Sequence, residues 1–160
     1  MRMFDRKIIL LLSGIFTIGL IVRFLYFPSN IYFGFDQARD AFAAKEILGG
    51  DLKLIGPPTS FEGLHHGVLY YYLLAPLYGL GKMNPEFVAG ALRIFNSLGV
   101  FFIFLVCKTI FDKKVGLFAA LLFAISFEQT QFSIYMGNPS PAVLSILLMY
   151  LGLALFVFKK

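Results

Sequence analysis

The sequence predicts an all-α integral membrane protein with about four transmembrane helices, and three observations carry that prediction. Of 160 residues, 59% are hydrophobic and only 14% charged, with a mean hydropathy of +0.80. A soluble domain is typically about 45–50% apolar and about 25% charged. Four stretches approach the roughly 20 apolar residues that cross a bilayer, and the basic residues cluster at their ends.

The first stretch, residues 8–27, is broken only by Arg23 near its end. The second, 87–107, carries Arg93 and Asn96, and the third, 115–136, contains Glu128. The fourth, 141–158, is free of charge and is followed by Lys159 and Lys160. A fifth run, 67–81, is uncharged but short, holds Pro76 and is rich in Tyr. That length fits an interfacial helix better than a span. The chain is therefore read as a single membrane domain, 1–160, with one long loop at 28–86.

Loop charge tests that reading independently. If 67–81 does not cross, one side of the membrane holds Arg2, Arg6, Lys7, Lys108, Lys113, Lys114, Lys159 and Lys160. The other side holds Arg39, Lys45, Lys53 and Lys82. The excess of Lys and Arg on the cytoplasmic side then predicts a multi-pass cell-membrane protein with both termini cytoplasmic and loop 28–86 external. The N-terminal run also has the basic start of a secretory signal, but Arg23-Phe24-Leu25-Tyr26-Phe27-Pro28 offers no small-residue cleavage site, so it reads as a retained anchor.

Within loop 28–86, residues 36–48 (DQARDAFAAKEIL) read as a short juxtamembrane helix with Asp36 as its N-cap, ended by Gly49-Gly50. Pro57-Pro58 and His65-His66 mark the following segment as loop. A net charge of +5 raises nucleic acid as a partner, but the Lys and Arg residues are not gathered on one face, so that class is excluded. Cys107, the single cysteine, lies in an apolar run and reads as a packed hydrophobe.

The polar residues within or beside the spans are the candidates for chemistry, since ionisable groups in a bilayer face a cavity or a partner. At 1.5 Å per residue, Arg93 lies about 9 Å inside the outer end of its span and Glu128 about 20 Å from the start of its own. Asn138 falls just beyond. Arg23 reads as an interface arginine reaching for water, and Glu128 as an ion-pair partner for Arg93 or Arg23. Tyr70, Tyr71 and Tyr72 read as aromatics of the interfacial belt. Adjacent histidines lack the i, i+4 spacing of a helical zinc site, so His65-His66 predicts no metal centre.

Several strings occur in a telling order: Phe35–Asp40 (FDQARD), 54–59 (LIGPPT), 66–74 (HGVLYYYLL), 111–120 (FDKKVGLFAA) and 138–141 (NPSP). Together they resemble the N-terminal region of the GT-C superfamily of multispanning glycosyltransferases. The nearest branch is that of the dolichyl-phosphate-mannose protein mannosyltransferases and aminoarabinose transferases (glycosyltransferase family 39-like). The resemblance covers essentially the whole chain. It implies transfer of a sugar from a polyprenyl-phosphate donor to an acceptor hydroxyl at the outer face of the membrane, in contact with membrane lipid. It also implies that Asp36 is the catalytic carboxylate, with Asp40 the nearby alternative. Arg93, with His65 or His66, would neutralise the donor phosphate, and Asn138 stands where many members carry a second acid. Dependence on a divalent cation stays open, as do the sugar and the acceptor.

Members of the superfamily have many more spans. The expectation is therefore a fragment holding part of a site, or a chain completed by a complementing membrane subunit. The alternative is a small non-catalytic multispanning protein, an assembly partner or an inactive remnant. That alternative gives no reason for an acid-bearing loop such as FDQARD.

Overall fold

The computed structural model describes residues 5–158, so Arg2, Lys159 and Lys160, which entered the charge count, lie outside the described residues. Within them the chain is helical: α1 (Arg6–Phe24), α2 (Phe35–Leu48), α3 (Leu69–Leu80), α4 (Pro85–Ser97), α5 (Gly99–Ile110), α6 (Lys113–Ile125), α7 (Phe127–Ile134) and α8 (Pro139–Phe158). Helix α4 runs into α5 as one 26-residue apolar stretch. That stretch, α1 and α8 are the three helices long and apolar enough to cross a membrane. The predicted span at 115–136 is instead two helices, α6 and α7, bent by 54° at Ser126, and only together do they pass the same test.

Local chemistry explains the boundaries. Asn84 caps α4 by accepting the N–H of Glu86 at 2.8 Å, and Pro85 at the first helical position needs no partner for the donor it lacks. Ser126 is extended, with φ −64° and ψ 127°, and its hydroxyl accepts the N–H of Gln129 at 3.3 Å. The same residue thereby ends α6 and begins α7. Asp36 is not the N-cap of α2; that place belongs to Gly34, whose N–H donates to the Gln37 side chain at 3.0 Å.

Helix α6 packs between α1 and α5, and α8 lies against α5 and α4. This bundle closes on Ile8, Leu12, Val100, Phe104, Ala120 and Ala124. The small residues of α6 let the neighbouring backbones approach, as is usual between membrane helices. Outward faces of α1 and α8 are apolar, with Leu10, Ile21, Met149 and Phe156 exposed. A second core, built on Ala44, Leu74, Tyr78, Val88 and Leu92, joins α2 and α3 to the start of α4. Tyr70 and Tyr71 belong to this core and are not belt residues. Burial pushes the Tyr78 hydroxyl up to about 12, so the tyrosines of this core remain neutral packing elements.

At the opposite end, Asp112 caps α6, its Oδ1 accepting the N–H groups of Lys114 at 2.7 Å and Val115 at 2.9 Å. The bonds from Val115 and Lys114 hold its carboxyl below the usual carboxylate range. A depressed carboxylate stabilises the fold above its unfolded value and loses that contribution as the pH falls through its folded value. Asp112→Ala should therefore lower the thermal midpoint in detergent at pH 7, and the gap to wild type should close in acid. Asp112→Asn, which keeps an acceptor oxygen, should lose less.

Candidate functional site

Two aspartates one helical turn apart share a face of α2, and Arg39 lies between them. Its Nη1 donates to Asp36 Oδ1 at 2.8 Å, while Nε and Nη2 donate to Asp40 Oδ1 at 2.9 and 2.8 Å. The two acids are not equivalent. Asp40 is buried and Asp36 is exposed, with 4% and 58% of their side chains accessible. Burial is the largest influence on Asp40 and pushes its carboxyl up, while the hydrogen bond and charge of Arg39 pull it back part of the way.

Facing α2 is the α7–α8 connection. Gln37, buried on α2, donates from Nε2 to the carbonyl oxygen of Met136 at 3.1 Å and so ties the first turn of α2 to that connection. A third wall comes from the loop at 57–66. There Thr59 N–H donates to the Leu64 carbonyl at 2.9 Å and His66 N–H to the Pro57 carbonyl at 2.8 Å. These walls enclose a cleft of about 240 Å3 lined by Asp36, Arg39, Asp40, His66, Tyr135 and Asn138, among others. A second groove, of about 270 Å3, between α3 and α8 shares His66 and Asn138 with it. Leu69, Leu73, Pro141, Ala142 and Ile146 make that groove apolar.

Four of the six candidate residues, Asp36, Asp40, His66 and Asn138, thus meet in one cleft. His65 does not join them. It pairs with Pro58 in an extended bridge, and its Nδ1 lies 3.1 Å from the Gly56 carbonyl. Successive side chains of an extended segment point to opposite sides, so only one of the two adjacent histidines reaches the cleft. Arg93 is also elsewhere. It is fully buried, donating to the Arg23 carbonyl at 3.1 Å and to Asn30 Oδ1 at 2.9 Å, with the Phe27 ring 4.7 Å away. Arg23 is likewise buried and does not reach water. Glu128 pairs with neither arginine: it is exposed, and the ion pairs among the described residues do not include it.

Sequence reasoning passed over Arg39 and Gln37. Both carried a signal: Arg39 sits at the i+3 position from Asp36, and Gln37 is three residues past the cap at Gly34, the spacing of a capping box. The donor set does not suit a divalent cation. Both aspartates turn an oxygen to Arg39, which stands where a cation would be. Among the described residues no three His, Cys, Asp or Glu side chains converge.

The Arg39–Asp40 pair predicts a pH-dependent stability. A carboxyl raised by burial contributes fully below its unfolded value and loses that contribution as the pH rises through its folded value. Removing the guanidinium moves the folded value higher still. Arg39→Gln should therefore destabilise by about 1–3 kcal/mol at pH 7, since one partner of a largely buried charged pair is left alone. The deficit should shrink as the pH falls through the carboxylate range; thermal melts at pH 7 and pH 4 measure it. Compared with protein-family models, with curated proteins and with solved structures, the chain gives no match in any of the three.

Proposed function

We propose that this chain belongs to the transmembrane core of a GT-C-like glycosyltransferase. It would move a sugar from a polyprenyl-phosphate donor to an acceptor hydroxyl at the outer face of the cell membrane. The observation that carries the reading is a carboxylate-bearing cleft that shares two lining residues, His66 and Asn138, with an apolar groove. A polyprenyl-phosphate sugar has the same layout, a polar head on a long apolar tail. In this reading α6 and α7 form a fourth, broken span, both termini are cytoplasmic, and the loop between α1 and α4 is external. A broken span is tolerated at membrane depth where its freed backbone groups find partners, and Arg23 supplies them here.

The chemistry is assigned as follows. The acceptor oxygen attacks the anomeric carbon and forms the new C–O bond. The bond from that carbon to the phosphate oxygen breaks, and its electron pair leaves with the polyprenyl phosphate. The acceptor proton passes to the Asp36 carboxylate and from there to water. His66 and Arg39 stand on the cleft wall and donate hydrogen bonds to phosphate oxygens, arginine being suited to that geometry. Asp40 holds Arg39 in place from its buried side. Arg93, the arginine first expected at the phosphate, is left out because it is fully buried inside the bundle and does not line the cleft.

The test is sugar transfer from radiolabelled polyprenyl-phosphate hexose and pentose pools in membranes carrying the full protein. Transfer by wild type that disappears in Asp36→Asn supports the proposal. If wild type transfers none of these sugars, or Asp36→Asn changes nothing, the non-catalytic membrane protein is the better reading.

A further inference from the structure

A further cavity, of about 400 Å3, is lined by Tyr32, Phe35, Asp36, Gln37 and Tyr135. Asp36, Gln37 and Tyr135 therefore stand in a wall common to two cavities. One of the two, the carboxylate-bearing cleft, shares His66 and Asn138 with the apolar groove. The other does not, and its character differs. The rings of Tyr32 and Tyr135 lie nearly parallel, 18° apart with centroids at 6.4 Å. The Phe35 ring, 85% exposed, completes an aromatic surface beside a carboxylate and an amide.

Two glycines show that this arrangement is built into the backbone. The Tyr32 ring folds over Gly34, where a Cβ would sit 2.9 Å from its hydroxyl oxygen and 3.2 Å from the ring. The Tyr135 ring folds over Gly137, where a Cβ would collide with the ring edge. Each tyrosine thus occupies space that a side chain two residues later would take. The Gln37–Met136 hydrogen bond then fixes the two segments against each other.

We propose that Tyr32, Phe35 and Tyr135 form a platform that seats a carbohydrate acceptor, with a ring hydroxyl presented to Asp36. This deepens the transferase reading and rests on it for the role of Asp36. The chemistry selects a sugar over the other acceptor classes. A pyranose presents a flat C–H face that packs on aromatic rings and an edge of hydroxyls that a carboxylate can bind. An extended peptide gains most of its affinity by pairing with a sheet edge, and the described residues offer none beside this cavity. A lipid tail would displace water from the exposed Asp36 carboxylate and offer it no hydrogen bond in return.

The probe is cellotriose, compared with a Ser/Thr hexapeptide, added to the full chain in nanodiscs and followed by saturation-transfer NMR, which needs neither donor nor turnover. Wild type should transfer saturation to the C–H protons of cellotriose. Tyr32→Ala and Tyr135→Ala should each weaken binding by roughly threefold to tenfold. Both side chains are exposed, so these variants fold. Gly137→Ala should reproduce the loss by displacing one ring while keeping every aromatic residue. In the transfer assay Tyr32→Ala, which does not line the donor cleft, should raise the acceptor KM with the donor KM unmoved. No cellotriose binding, preferential binding of the hexapeptide, or an unchanged acceptor KM in Tyr32→Ala overturns the platform. Cellotriose binding that depends on the tyrosines, in a protein that transfers no sugar, would sustain the platform and sink the transferase reading.

Discussion

Asp36→Asn should reduce sugar transfer by about 10²- to 10⁴-fold, the usual contribution of a positioned general base, with insertion and thermal stability unchanged. The amide has the size of the carboxylate and still offers an oxygen to Arg39 Nη1, now 2.8 Å from Asp36 Oδ1. It cannot take a proton from the acceptor. Because the side chain is exposed, little of the fold depends on it. Asp40→Asn should behave in the opposite way. That carboxylate is buried and receives two of the Arg39 donors, so its loss should appear first in stability. Transfer rates and thermal midpoints for the two variants separate these roles. If Asp36→Asn keeps transfer within about threefold of wild type, a loss too small for a general base, the base lies elsewhere.

The helical elements were legible because their signals are local. The run at 36–48 becomes α2 at Phe35–Leu48, and 67–81 becomes α3 at Leu69–Leu80. The break at Ser126 was missed because hydropathy averages across it. Yet Ser126-Phe127-Glu128-Gln129 has the S-x-x-Q form of a capping box, and a helix start written inside an apolar run was the clue. The cleft was partly legible. The string FDQARD holds four residues that line it, Asp36, Gln37, Arg39 and Asp40. Tyr135 and Asn138 reach it only because Gln37 fastens two segments far apart in sequence. The arginines were misread for a plainer reason. A buried guanidinium calls for an acidic partner in the sequence, and Glu128 was at hand. The protein uses the neutral side chains of Asn96 and Asn30 together with main-chain carbonyls, and the carbonyls carry no letter in a sequence.

Arg23→Met should destabilise the protein by about 3 kcal/mol, the largest stability effect expected of a single substitution here. The fully buried guanidinium donates from Nε to Asn96 Oδ1 at 2.9 Å and from Nη1 to the carbonyls of Ala124 at 2.9 Å and Gly19 at 3.2 Å. Its Nη2 donates to the Phe123 carbonyl at 3.3 Å. Phe123 and Ala124 lie in the last turn of α6, where the break at Ser126 removes the following helical N–H groups. Without Arg23 these carbonyls lose a donor in an environment that holds little water, at about 1–3 kcal/mol for each group left unsatisfied. Relief from burying the guanidinium opposes this, so the net lies below the sum. Arg23→Lys keeps the charge, but a single ammonium cannot reach α4 and α6 at once, and it should fall between wild type and Arg23→Met. Thermal unfolding in detergent reads the order. Should Arg23→Met match wild type, the bend at Ser126 has another support. The same substitution should also lower transfer, because α7 leads into Tyr135, Gly137 and Asn138 on the cleft wall. A guanidinium that never meets substrate would thereby set the position of the residues that do.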